Sequence, residues 1–197
     1  LQDERSRLEA GVDTQPPLPY TRDTSARDGR EGAPLWQLVD FHDAVTPAQR
    51  AGLEAALESA GLLDAWISPD GRLQVGDEGT WPHDTQLVER RARSASLAAW
   101  LQAAVPADSS VPCGVVERLL AGVACATEDA VDSEAWISPD GRFRLGALSG
   151  AGVNPGWSHG RGRKDAAEAW KALDPAPESG HGLVSVFLGL WMGGEIA

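Results

Sequence analysis

Hydrophobic positions in the middle of the chain recur with two different periods. From Pro47 to Ala60, Leu53, Ala56, Leu57 and Ala60 fall on one face at helical spacing. Thr46 supplies an N-cap, Pro47 suits the first helical position, and Gly61 ends the pattern. A second helix is expected over residues 85–105, through Leu87, Val88, Leu97, Trp100 and Leu101. A third is expected over 113–127, through Val115, Val116, Leu119, Leu120 and Val123. The other period is two. Arg72-Leu73-Gln74-Val75 alternates polar and apolar, as a half-buried strand does. Leu35 to Phe41 reads as the first strand.

The strand signal sits inside a repeat. Residues 65–72 read AWISPDGR, and residues 135–142 read the same. The match continues loosely, Leu73 to Gly76 against Phe143 to Gly146. In each copy Pro presets φ at the first turn position, Asp tolerates the second, and Gly takes positive φ cheaply. Each copy therefore predicts a β-hairpin with a Ser-Pro-Asp-Gly tip. Trp66 and Trp136 are expected to fill the core, because aromatic side chains bury large areas. The competing expectation is that the hairpin tips or edges form a binding or dimer surface. Two copies are too few for a solenoid, which needs about three. The fold class predicted is α+β: a pseudo-two-fold domain built from two helix–hairpin units near 47–76 and 113–146.

Around this core the character of the chain changes. Residues 1–11 are charged helix formers with Leu1 and Leu8 one heptad apart, which fits the end of a coiled-coil arm. Residues 12–34 hold Pro16, Pro17, Pro19 and Pro34 among Asp, Arg and Gly, and read as a linker too poor in apolar side chains to order itself. The other reading is an extended arm held to the domain through Leu18 and Tyr20. Residues 35–151 form the expected domain. Residues 152–197 are rich in glycine and lack heptads, with one short helix expected over 165–173.

The net charge of −12 opposes a simple nucleic-acid-binding module, which is usually basic. Local patches remain: Arg90, Arg91 and Arg93 on the second expected helix, and Arg161, Arg163 and Lys164 in the tail, are candidate DNA contacts. Cys113 and Cys125 lack CxxC spacing and are read as small core residues of a reducing compartment. The charged start carries no signal-peptide pattern, and the absence of Met there predicts a piece of a longer chain. The longest apolar run, Gly182 to Gly194, is too short and glycine-rich to span a membrane.

The chain shows no GxxxxGK[ST], HExxH, CxxC or GxSxG motif. His42, His83, His159 and His181 are scattered, so a metal site from His42, His83 and nearby aspartates is a minor reading. Asp70 and Asp140, paired by the repeat, could do acid–base work. A PDG turn already gives each Asp a structural task. No catalytic, cofactor or metal residue is therefore assigned. The structural markers of the repeat are Trp66, Pro69, Asp70, Gly71, Trp136, Pro139, Asp140 and Gly141.

The run from Gly32 to Leu73, GAPLWQLVDFHDAVTPAQRAGLEAALESAGLLDAWISPDGRL, and the later AWISPDGRFRLGALSGA from Ala135 to Ala151 resemble the middle of large actinobacterial SMC-like ATPases. These are the MukB/MksB-like subunits of Wadjet-type plasmid-restriction systems. The resemblance covers roughly residues 1–151. It implies a non-catalytic hinge that dimerises two ATPase subunits, with residues 1–11 as the end of the incoming arm. It further implies a cytoplasmic, nucleoid-associated homodimer, contact with DNA, and no membrane partner. The chain departs from that family at 152–197, where a returning coiled coil is expected. The rival readings are a stand-alone interaction or small-ligand-binding module, and a small hydrolase using Asp70, Asp140 or the histidines.

Overall fold

The computed structural model describes residues 19, 21–76, 79–129 and 131–153, all within the unit Val12–Gly162. The arm expected at 1–11, Leu18, Tyr20, and the tail with Arg161, Arg163 and Lys164 lie outside the described residues.

The architecture is mixed α and β, with small sheets rather than one large one. β1 (Ala33–Pro34) pairs antiparallel with β3 (Trp66–Ile67), and β2 (Val39–Phe41) pairs antiparallel with β4 (Leu101–Ala103). A four-stranded sheet runs in the order β5 (Ala124–Cys125), β6 (Ala135–Ile137), β7 (Arg142–Leu145), β8 (Leu148–Ala151). Its first pair is parallel and the other two are antiparallel.

Between β1 and β2 the chain makes one helical turn, α1 (Leu35–Leu38). The single strand expected over Leu35 to Phe41 is therefore interrupted. Leu35, Trp36, Leu38 and Val39 are all buried, and one helical turn lets consecutive apolar side chains reach the core together, which period-two alternation forbids.

α2 (Pro47–Ser59) follows the expectation. Thr46 and Gln49 form a reciprocal capping box: the Gln49 N–H donates to Thr46 Oγ1 at 3.4 Å and the Thr46 N–H donates to Gln49 Oε1 at 3.1 Å. Gly61 ends the helix at φ +70°. α3 (Cys113–Gly122) is shorter than expected and stops at Gly122. There a backbone passes so close that a Cβ on Gly122 would stand 3.0 Å from the carbonyl oxygen of Arg90. Cys125 is buried on β5, and Cys113 is exposed at the start of α3, so only one of the two cysteines is a core residue. Burial pushes the Cys125 thiol up to about 12.

The helix expected over 85–105 is absent. Residues 85–96 form an extended connector, followed by a 3-10 turn, Leu97–Ala99, and β4. The connector satisfies exposed edges on both halves of the domain. The Trp66 N–H donates to Thr85 O and the Leu87 N–H to Trp66 O, both at 2.9 Å. Further along, the Arg93 N–H donates to Ala121 O at 2.9 Å and the Cys125 N–H donates to Ala95 O at 3.2 Å. Each bond closes a backbone group that would otherwise be left unpaired beside the core. Tertiary demand thus overrides a run of good helix formers.

The core is one cluster that joins both repeats: Leu53, Ala56, Leu57 and Ile67 with Val116, Leu119, Leu120, Ile137 and Phe143. α2 lies against β6, β7 and β8, while α3 lies against the 3-10 turn and β4.

Candidate functional site

Of the residues marked by the repeat, Trp66 and Trp136 lie in β3 and β6 while the Pro, Asp and Gly form the two Ser-Pro-Asp-Gly turns, and each turn meets the helix of the other unit. A Cβ on Gly52 of α2 would stand 2.1 Å from the Pro139 carbonyl oxygen. Only glycine lets the second turn approach so closely. Reciprocally, a Cβ on Gly71 would stand 3.1 Å from Cγ1 of Val115 on α3. The two contact points correspond. When Leu53, Ala56 and Leu57 are set against Val116, Leu119 and Leu120, the buried pattern stays in step and Gly52 falls opposite Val115. The turn glycines play matching roles as well. Gly71 O accepts from the Glu89 N–H at 2.8 Å, and Gly141 O accepts from the Gly152 N–H at 2.9 Å.

Both aspartates serve their own turns. Asp70 accepts from the Ser68 hydroxyl at 2.8 Å and from the Arg72 N–H at 3.0 Å. The Ser68 hydroxyl and that N–H hold the Asp70 carboxyl below its ordinary value. Asp140 accepts from the Arg142 guanidinium at 2.7 Å. Those bonds, with help from Ser138, hold it further down. Each is exposed and beside a different helix, so the repeat does not bring a carboxylate pair to one place.

The tryptophans are buried, as expected. Trp136 Nε1 donates to Ala126 O at 3.0 Å, and Arg142 lies over the ring at 5.5 Å. Trp66 Nε1 is buried with no hydrogen-bond partner among the described residues. Its ring is covered by Arg27 at 4.9 Å and Arg30 at 5.4 Å.

Those arginines belong to a cluster that the sequence reading missed. Arg22, Arg27 and Arg30 converge on Asp84, whose side chain is fully buried, and Arg22 and Arg27 also meet Asp64. Arg27 grips Asp84 with two bonds, 2.8 and 2.9 Å long. Burial works against the Asp84 carboxylate, and the hydrogen bonds and charge of Arg27 outweigh it, so the group stays below its ordinary value. Residues 21–34, expected as an unordered linker, are therefore held to the domain, and by arginines. The available signal was three arginines spaced three to five residues apart in a stretch with little apolar content. Beside the cluster, Pro19, Thr21, Arg22, Pro82, His83, Asp84 and Thr85 line an open pocket of about 300 Å³.

Arg90, Arg91 and Arg93 lie on the extended connector. Arg90 pairs with Glu134 at 3.0 Å and Arg93 with Asp132 at 3.3 Å, so the acidic loop faces them. Arg91 is exposed and has no ion pair among the described residues. His42 bonds the Ala98 carbonyl at 3.1 Å, and no group of three or more metal-ligating side chains occurs among the described residues. No helix among them is long and apolar enough to cross a membrane. No family model, curated protein or solved structure matches the chain.

Proposed function

We propose that this chain is the hinge of an SMC-like ATPase of the plasmid-restriction type, a non-catalytic module that joins two copies of its parent subunit. The reciprocal seating of each repeat's turn on the other repeat's helix, at Gly52 and at Val115, carries this reading. It fits a pseudo-two-fold domain, and such a domain suits a symmetric pairing of two chains. Apolar side chains stand in water beside both repeats: Leu73, Val75 and Trp81 by the first, Leu148 and Val153 by the second. β8 is the last strand of its sheet, and an edge strand is a ready partner for another chain.

Sedimentation equilibrium of the full chain at tens of micromolar tests the reading. A reversible dimer is expected, and a strict monomer would overturn it. DNA contact is a separate part of the proposal. Exposed ion pairs are weak, so a phosphate could displace Glu134 and Asp132 from Arg90 and Arg93, with Arg91 beside them. A gel shift at low salt is expected to show retardation that Arg91→Ala weakens; no retardation would remove DNA from the proposal. The second reading, a small-ligand-binding module, draws on the pocket between Arg22 and His83. It requires saturable binding of a small anion that Arg22→Ala abolishes.

A further inference from the structure

Residues 21–32 contain no strand or helix and close on themselves through short turns, such as Ala26 N–H to Asp23 O and Asp28 N–H to Ser25 O, both 3.0 Å. Arg22 is their only buried residue. No apolar side chain of this segment enters the core. Its hold on the domain is polar and centred on one carboxylate. Asp84 takes ion pairs from Arg22 at 2.8 Å, Arg27 at 2.8 Å and Arg30 at 3.2 Å. Secondary ties reach Asp64 and Gln74: Arg27 to the Asp64 carbonyl at 2.7 Å, Arg30 to Gln74 at 3.0 Å, and Gln74 to the Glu31 carbonyl at 3.1 Å. Beneath the strap, Gly32 presses on Trp66 so tightly that a Cβ there would stand 2.5 Å from Nε1.

A segment held by charge-assisted bonds to Asp84 and, more lightly, to Asp64, with no apolar anchor, differs in kind from the packed core beside it. Local stability follows such differences, and segments lacking buried apolar contacts open first. We propose that residues 21–32 are a strap latched by Asp84, which opens as a unit while the core stays folded. Opening uncovers the Trp66 ring and its N–H, and it frees the chain before Ala33 to change direction. Given the hinge reading, on which this meaning rests, the strap governs how the chain enters the hinge domain at Ala33.

Hydrogen exchange on the full chain, wild type and Asp84→Asn, tests the latch. In wild type the Trp66 indole N–H, which lies beneath the strap, is expected to exchange faster than the bonded amides of β2, β4 and β6. Asp84→Asn should speed that N–H roughly tenfold or more, with the sheet amides unchanged, because it weakens three charge-assisted contacts at once. A Trp66 indole N–H that exchanges at the rate of the sheets in wild type would overturn the proposal. So would a variant whose indole N–H and sheets speed up equally. The wild-type measurement stands even if Asp84→Asn does not fold. A monomer in sedimentation would end the hinge reading and leave the latch result untouched.

Discussion

The two copies of AWISPDGR have the same eight residues and different surroundings. In the second copy the turn leads into β7, which lies between β6 and β8 with Phe143 buried. In the first copy the corresponding residues, Arg72 to Val75, belong to no sheet, and Leu73 and Val75 stand 43% and 52% exposed. The expected hairpin thus forms once. Each Trp–Ile pair still sits between a parallel and an antiparallel neighbour. For Trp66 these are Gln86 and β1; for Trp136 they are β5 and β7. The octapeptide specifies the turn and the buried Trp-Ile. What pairs with it is decided by the sequence on either side. After Leu145 a tight turn at Gly146 (φ +56°) returns the chain as β8. After Val75 the chain closes a different loop, with the Gly76 N–H on Thr80 O at 2.7 Å.

The largest effect that would break this comparison lies where the turns meet the helices. Gly52→Val places a side chain into the Pro139 backbone, which has no flexible end to yield. It is expected to cost about 3 kcal/mol or more, as overpacking at a rigid contact does. Val115→Ala, at the matching point, only trims a side chain and should cost about 1–2 kcal/mol. Urea denaturation of the two variants checks the ranking. Equal losses would show that the two contacts are not asymmetric in the way their geometry implies.

The turn glycines give the next effect. Both have positive φ, +72° at Gly71 and +97° at Gly141. A Cβ on Gly71 meets a movable Val115 methyl, whereas one on Gly141 would stand 2.5 Å from the Gly152 carbonyl oxygen. Gly152 cannot retreat, since it is itself packed against Ala55 O. Gly71→Ala should cost about 1 kcal/mol from backbone strain alone, and Gly141→Ala about 2–3 kcal/mol. Thermal melts of the pair would show the difference as a larger fall in Tm for Gly141→Ala.

These contrasts also show what could be read in the chain beforehand. The turns, the buried tryptophans and α2 were legible because local chemistry dictates them: Pro-Asp-Gly, and the Thr46–Gln49 cap followed by Leu53, Ala56 and Leu57. The connector was not. Residues 85–96 are good helix formers, and the backbone groups of Trp66, Gly71 and Ala121 to Cys125, far apart in sequence, hold them extended. Gly52 is itself a local signal, since a glycine inside a helical pattern often marks a close approach. Nor did any local period reveal the arginine cluster, because Arg22, Arg27 and Arg30 meet Asp64 and Asp84 only through the fold. Composition suggested a linker, and it had no way to count carboxylates waiting elsewhere.

A smaller difference separates the tryptophans. Trp136→Phe removes an N–H that bonds Ala126 O and leaves that carbonyl without it. Trp66→Phe removes an N–H that has no partner among the described residues. Ring truncation costs both variants similar packing, so Trp136→Phe should be the more destabilising by about 1 kcal/mol, the worth of one buried hydrogen bond. Guanidinium unfolding of the two single variants measures this. A larger loss at Trp66 would mean that its indole does more than fill space beneath the strap.

The finest test is of the aspartates, where turns of identical sequence differ in the placement of one arginine side chain. Ser68 and the Arg72 N–H lower Asp70; the Arg142 guanidinium, with Ser138, lowers Asp140 further. Arg142 can do this because it lies back over Trp136 and also reaches the Thr127 carbonyl at 2.8 Å. A carboxylate depressed in the folded state stabilises it fully above the unfolded value, about pH 3.9, and loses that contribution as pH falls through the folded value. Both turns are therefore expected to be at full strength at neutral pH and to weaken only in acid, Asp70 first. Carboxyl carbon chemical shifts followed from pH 6 downward should show Asp70 titrating at higher pH than Asp140. Arg142→Lys should bring the two midpoints together, since an ammonium keeps the charge and gives up the planar bidentate grip. Coincident midpoints in the wild-type chain would mean that Arg142 does not close on Asp140, and the octapeptides would then be alike in their turns and different only in what flanks them.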